Sequence, residues 1–214
     1  MKLRAVEFGT FWLSEGASGL PLVSSSNATT VFGEASPNDG PALQSAMNLP
    51  NPEPIRHRFR TGRRCFSLRV ADRIVAYGWA TRGLESVGEL EREFSLTDDE
   101  VYIWDCGTVP DWRGQGCYTA LLNQMLRQFH QEGIARIWIG ASRQNQPSIQ
   151  GIVRAGFQHV MDVAYYRLWV LTLLRFIESP TARRSQLDAA YRVLTSKHER
   201  RWGRVALGIY RNGM

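Results

Sequence analysis

The segment that most restricts this chain is Val109-Pro110-Asp111-Trp112-Arg113-Gly114-Gln115-Gly116-Cys117-Tyr118, a glycine-rich junction between regions of different hydrophobic period. Before it, Glu100 to Val109 alternates as a strand does. After it, Leu121, Leu122, Met125, Leu126 and Phe129 recur at helical spacing until Gly133 ends the pattern. Glycines where a strand turns into a helix let several backbone N–H groups converge, and the helix start adds a dipole that favours an anion. Each dipole contact is worth about 0.3–1 kcal/mol, so several converging amides outweigh one side chain such as Arg113. A plain tight turn before a helix fits the same two glycines. A P-loop requires Gly-Lys-Ser/Thr, and no Lys follows Gly116. A dinucleotide fingerprint requires a third glycine where Thr119 stands.

Around this junction the chain reads as alternating elements. Cys65 to Val70 and Ile74 to Thr81 are alternating apolar runs joined by Ala71-Asp72-Arg73, which predicts a hairpin. Ile134 to Ala141 is a short apolar strand. Asn145 caps a helix with Pro147 in its first turn, Ile149, Ile152 and Val153 give it an apolar face, and Gly156 closes it. Phe157 to Val170 is a further strand region. From Thr181 a helix carries Leu187, Ala190, Tyr191 and Leu194, and a basic, less regular end follows. The order β-β-β-α-β-α-β predicts a mixed α/β sheet without internal repeats.

Residues 14–54 read as poorly regular, because six of the nine prolines precede residue 55 among many Ser, Gly and Asn. Arg4 to Leu13 is predicted as a strand that tethers this extension. The expected division is an irregular extension over 1–54, an α/β domain over 55–178 and a helical basic tail over 179–214.

A chain of 214 residues can bury a full core without cross-links. Cys65, Cys106 and Cys117 are too scattered for a disulfide framework or a metal site, and they fit a reducing, cytoplasmic setting. No eighteen-residue apolar run exists; the densest, Ala164 to Ile177, is broken by Arg167 and Arg175. The N-terminus lacks the apolar region of a signal peptide. The net charge of +6 favours anionic partners, yet its sign alternates along the chain. Basic clusters at Arg56–Arg73 and Arg183–Arg204 flank an acidic span from Glu85 to Glu100, which disfavours nucleic acid as the partner.

A second segment, Asn145-x-x-Ser148-Ile149 with Gly156-Phe157 eleven residues after the Asn, gives the junction a family context. Val109-Pro110-x-x-Arg113-Gly114-x-Gly116 before an amphipathic helix resembles motif A of the GNAT superfamily of N-acetyltransferases, and the second segment resembles motif B. The resemblance covers roughly residues 64–170. It implies the GNAT-like acyl-CoA N-acyltransferase fold: a largely antiparallel α/β sheet with a V-shaped splay between its fourth and fifth strands, here Glu100–Val109 and Arg136–Ser142. It implies acetyl-CoA as cosubstrate and no metal. The pantetheine arm would lie in the splay, bonded to backbone groups of Thr108 and Val109. Gly114, Gln115, Gly116, Cys117 and Tyr118 would wrap the pyrophosphate, with Arg113 nearby. Asn145 and Ser148 would meet the pantetheine, or Asn145 would serve only as a cap. Two positions depart from the family pattern: Tyr118 stands where Gly or Ala is usual, and Ile152 stands where many members carry a proton-donating Tyr.

Acyl transfer to an amine needs the neutral nucleophile. A lysine-like amine of pKa ~10.4 is neutral about once in 2,500 at pH 7, a penalty of ~4.6 kcal/mol, and a carboxylate is the usual remedy. Strand alternation puts Glu100, Tyr102, Trp104 and Cys106 on one face and Asp105 on the other. Tyr102 stands where the histone-acetylating branch carries its basic Glu. Glu100 is its neighbour, and a bulge would bring Asp105 round instead. Tyr165 and Tyr166 are candidate acids or pocket walls, and Trp79, Trp104 and Trp169 are candidate acceptor-site walls. No His sits at a recognisable spacing to pair with Cys106 or Cys117, so direct transfer is expected over an acyl-cysteine. The expected activity is N-acetylation of a small-molecule amine or amino sugar, with a homodimer as the candidate assembly. Its rivals are a degenerate acyl-CoA sensor and a nucleic-acid or membrane-surface module using Arg183–Arg204.

Overall fold

The computed structural model describes residues 4–15, 30–87, 92–168, 171–195 and 199–209. In chain order they form β1 (Arg4–Glu15), β2 (Val31–Ala35), α1 (Gly40–Ala46), α2 (Glu53–Arg60), β3 (Arg64–Val70) and β4 (Arg73–Thr81). A short hairpin, β5 (Leu84–Val87) and β6 (Arg92–Ser95), precedes β7 (Glu100–Thr108), α3 (Cys117–Gln131), β8 (Arg136–Ser142) and α4 (Gln146–Arg154). The chain continues as β9 (Gln158–Leu168), β10 (Leu171–Glu178), α5 (Arg184–Leu194), β11 (Arg200–Trp202) and β12 (Val205–Ile209).

Ten strands make one sheet in the order β11-β12-β10-β9-β1-β8-β7-β4-β3-β2. Neighbours run antiparallel except β7 and β8, which are parallel because α3 crosses between them. The predicted β3–β4 hairpin is present, and its turn residues Ala71 (φ 45°) and Asp72 (φ 64°) are both left-handed, as a tight two-residue turn requires. The α/β sheet, whose parallel pair β7 and β8 stays bonded only from Glu100↔Arg136 to Ile103↔Ile139 and then splays, agrees with the sequence reading.

Three regions differ from that reading. The strand expected over Arg4–Leu13 is present as Arg4–Glu15, but it is interior to the sheet, paired to β8 from Gly9↔Ser142 to Glu15↔Arg136 and to β9 on its other edge. Its Phe11 ring stacks on Trp138 at 5.0 Å, and Leu13 is buried. Within residues 14–54, expected to be irregular, lie β2, α1 and the start of α2. Two of the six prolines that suggested irregularity sit in first turns, Pro41 in α1 and Pro54 in α2, where a missing N–H costs little. The basic end, expected to be less regular after the helix, forms the β11–β12 hairpin, which pairs with β10 through Leu171↔Ile209 to Arg175↔Val205. Trp169 and Val170 lie outside the described residues.

Arg64 ties the first half of the chain to α3. Its guanidinium reaches Glu34 of β2 at 2.7 Å and Glu132, just past α3, at 2.6 Å. Hydrogen bonds from Arg64 hold the Glu132 carboxyl down to about 2, against an ordinary 4.5. A carboxylate depressed in the folded state stabilises fully above its unfolded value, and that contribution fades as pH falls toward the folded one. Between about pH 5 and about pH 2, Glu132→Gln should therefore lose less stability than the wild type, read as the shift in urea midpoint.

Truncating the interior strand tests its place in the fold. Phe11→Ala should destabilise the protein by about 3–5 kcal/mol in urea unfolding, a core-sized loss that a surface tether would not show.

Candidate active site

Two structural devices build the site. The first is the junction loop. A single 3₁₀ turn over Pro110–Trp112 leads into Gly114 (φ 75°) and Gly116 (φ 79°), both in the left-handed region, and α3 starts at Cys117. The Arg113 N–H donates to Pro110 O (3.1 Å) and the Ala120 N–H to Gly116 O (2.9 Å). Between them, the N–H groups of residues 114–118 donate to no protein acceptor among the described residues. A Cβ built on either glycine would meet nothing within 4 Å, so the loop faces open space. Arg113 Nε donates to Thr108 O (3.2 Å) and Gln115 Nε2 to Asp111 O (2.9 Å), so these side chains fasten the loop from behind.

The second device is a bulge in β7. Pairing with β4 runs Tyr77↔Gly107 and then Trp79↔Trp104, so Gly78 alone faces Asp105 and Cys106. Asp105 takes φ 42°, a conformation an aspartate tolerates better than most residues. Gly78 is required there, because a Cβ would stand 2.8 Å from Cys106 Sγ. The bulge coincides with the end of β7–β8 pairing, which covers only Glu100↔Arg136 to Ile103↔Ile139. Beyond it the two strands continue to Thr108 and Ser142 and enclose a cavity of about 410 Å³.

The cavity collects Tyr102, Trp104, Asp105 and Cys106 from β7, Ile139 to Ser142 from β8, and Tyr118 from α3. Asn145 and Ser148 close one side, and Arg58 of α2 and Glu85 of β5 close another. Asp105, Tyr102, Tyr118, Asn145 and Ser148, which the sequence singled out, therefore share one space. Glu100 and Tyr166 lie outside this lining. Glu100 is fully buried and bound to Arg192 at 2.5 Å, with Arg136 at 3.8 Å, so its carboxylate joins β7 to α5. Tyr166 sits in β9 opposite Ala5, with β1 between it and β8. The Val109 N–H is donated to Val75 O (3.0 Å), and Thr108 O accepts from Arg113, so both backbone groups already have protein partners.

Asn145 is the expected helix cap, its Oδ1 accepting from the Ser148 N–H at 3.2 Å, and it also lines the cavity. Tyr118 resolves the departure from the small residue usual at its position. Its ring lies over Gly151 of α4, where a Cβ would fall 2.3 Å from Cδ1, and its hydroxyl meets Ser148 Oγ at 3.1 Å. Burial pushes the Tyr118 phenol up, so it stays protonated at neutral pH. Burial also raises the Cys106 and Cys117 thiols, which makes them poor nucleophiles.

Sequence reasoning missed Arg58, and it met Glu85 only as the start of an acidic span. Arg58 Nη1 stands 2.6 Å from Asp105 Oδ2, and the guanidinium lies over the rings of Trp79 (5.0 Å) and Trp104 (4.6 Å). The usable signal was Ile55, Arg58 and Phe59 at i, i+3 and i+4 after Pro54, one face of a short helix hidden inside a basic cluster. Glu85 is buried and held by Arg63 (3.1 Å) and by Thr81, whose hydroxyl also accepts from Trp104 Nε1 (2.9 Å).

The acetyltransferase (GNAT) family model matches residues 36–157. The chain belongs to the GNAT family. Acyl transfer is that family's chemistry, and acetyl-CoA is its donor. No curated protein shows significant sequence similarity to the chain. Solved structures share the fold. A GCN5-related N-acetyltransferase from Sphaerobacter thermophilus superimposes with a TM-score of 0.55 at 16% identity, over 85% of this chain and 55% of that one. A GNAT-family acetyltransferase from Colwellia psychrerythraea gives 0.53 at 11% identity, over 74% of this chain and 54% of its own. A putative GNAT acetyltransferase from Novosphingobium aromaticivorans gives 0.51 at 12%, over 83% and 68%. This GNAT chain thus spans little more than half the length of the first two.

The Tyr118–Gly151 contact reverses an ordinary helix rule. In an open helix Gly→Ala gains about 1 kcal/mol, whereas Gly151→Ala should lose about 1–3 kcal/mol of stability because the methyl overlaps the Tyr118 ring. Adding Tyr118→Ala should restore the gain relative to Tyr118→Ala alone, measured by urea unfolding of the four proteins.

Proposed function

We propose that this chain moves an acetyl group from acetyl-CoA directly to the primary amine of a small molecule, with an amino sugar as one candidate acceptor. The observation that carries the reading is the row of unspent amides at 114–118, set at the mouth of a sheet whose β7 and β8 have parted. Those donors, with the start of α3 behind them, suit a diphosphate. The opened strands leave an extended slot, and Asn145 and Ser148 line one side of it. Acetyl-CoA supplies an activated acyl carbon on a thiol leaving group.

Asp105 is the proposed base. It lines the cavity, and the bulge turns its carboxylate off the face that strict alternation would assign it. It takes a proton from the incoming ammonium, which leaves a lone pair on nitrogen. Tyr118, kept protonated by burial and oriented by Ser148, is the proposed donor to the departing sulfur, since Ile152 is packed in the core. Trp104 and Tyr102 wall the acceptor side.

Gly116→Asp places a negative charge beside the diphosphate site, and aspartate tolerates the left-handed conformation there. Calorimetry should show loss of acetyl-CoA binding with the melting temperature and circular dichroism retained; unchanged affinity would contradict the loop's role. Asp105→Asn should lower kcat by about 100- to 10,000-fold with acetyl-CoA affinity preserved, followed by thiol release across an amine panel. Tight acetyl-CoA binding without turnover of any acceptor would replace transferase by sensor.

A further inference from the structure

We infer that the acceptor is a free α-amino acid, bound as its zwitterion against the Arg58–Asp105 pair, an inference that rests on the acyl-transfer reading above. Arg58 enters the cavity between two indoles. The guanidinium carbon lies over both rings, 5.0 Å from the Trp79 centroid and 4.6 Å from that of Trp104, so each indole attracts its charge. Nη1 lies 2.6 Å from Asp105 Oδ2, yet it is buried and makes no aligned hydrogen bond. A guanidinium carries five N–H donors, and the two on the buried Nη1 of Arg58 find no aligned acceptor among the described residues. A buried guanidinium nitrogen that lacks an aligned acceptor, at the wall of a cavity, suits a carboxylate.

Asp105, beside it, presents the complementary charge for an ammonium. A ligand that serves both groups must carry a cation and an anion about as far apart as the protein's own pair. Standard bond lengths put the nitrogen of an α-amino acid about 3 Å from its carboxylate oxygens, close to the 2.6 Å between Nη1 and Oδ2. Laid antiparallel to the pair, the zwitterion closes a ring of four alternating charges, and the Arg58–Asp105 contact stays in place. A simple amine completes only half of that ring. Glu85 does not compete for the ammonium, because Arg63 and Thr81 already bind its carboxylate.

This docking sets the substrate nitrogen on the proposed base. The ammonium gives one proton to Asp105. The nitrogen lone pair then bonds to the acetyl carbon as the carbon–sulfur bond breaks, and a second nitrogen proton is balanced by the one gained at sulfur.

Matched acceptors test the inference in the wild-type protein: L-leucine against isopentylamine and L-phenylalanine against phenethylamine, each followed by thiol release from acetyl-CoA and by calorimetry. Each amino acid should exceed its decarboxylated partner in kcat/KM by about 10- to 100-fold, the worth of a charge-assisted contact. Arg58→Gln should erase the preference by raising KM for the amino acid alone, with acetyl-CoA affinity unchanged. Equal efficiency within each pair would overturn the inference and leave acyl transfer standing. Amino-acid binding that depends on Arg58 but gives no thiol release would uphold the pocket and overturn the transfer. If Arg58→Gln fails to fold, the wild-type pairs still decide.

Discussion

The extra residue in β7 governs this molecule. Asp105 and Cys106 share one partner, Gly78, and the strand must bend to fit them. Without the bulge, β7 and β8 would have no reason to part after Ile103 and Ile139, and a parallel pair would zip on to the junction loop. The same bend turns the Asp105 carboxylate from the opposite face of the strand into the cavity that Tyr102 and Trp104 line. Holding Asp105 at φ 42° costs about 1–3 kcal/mol, and the price is met by packing on both sides. Local strain of this kind concentrates where a chain does chemistry.

A gap between two central strands has to be braced from outside. β8 loses its β7 partner halfway along, but β1 holds its other edge over seven register positions, from Gly9↔Ser142 to Glu15↔Arg136. Phe11 on Trp138 and the buried Leu13 give that brace its core. On the opposite flank, β4 keeps β7 paired through Thr81↔Tyr102 and Ala76↔Thr108 on either side of the bulge. α3 and α4 meet across the cleft through Tyr118, whose ring occupies the space that Gly151 leaves open. The cleft is therefore a built opening, supported by neighbours on every side.

How much of this could be read beforehand depended on the range over which each signal acts. The Gly114–Gly116 loop, the α3 periodicity, the β3–β4 turn and the Asn145 cap are local, and the structure has all four where the spacing put them. Alternation failed at Asp105 because a bulge depends on the partner strand and on Gly78, which no window around residue 105 contains. The prolines of residues 37–54 misled for a related reason: composition counts them, whereas position in a first helical turn decides their effect. Glu100 drew attention as a carboxylate near the site, yet its partners Arg136 and Arg192 lie far along the chain and keep it in the core. Arg58 went unnoticed because only the folded chain brings α2 against Trp79 and Trp104.

The Arg58–Asp105 pair is an uneconomical way to stabilise a fold. Its guanidinium lies over two indoles, and its buried Nη1, 2.6 Å from Asp105, makes no aligned hydrogen bond. A buried donor without an aligned acceptor offsets much of what an ion pair contributes, so the pair is a weak device for stability. The arrangement makes sense as a site held ready for a ligand that finishes its bonding. It also explains release. Acetylation turns the ammonium into a neutral amide, and the ring of alternating charges loses one of its two cations. The product's carboxylate then faces Asp105 with no positive charge of its own between them, and the interaction that drew the substrate in becomes weaker for the product by the same geometry.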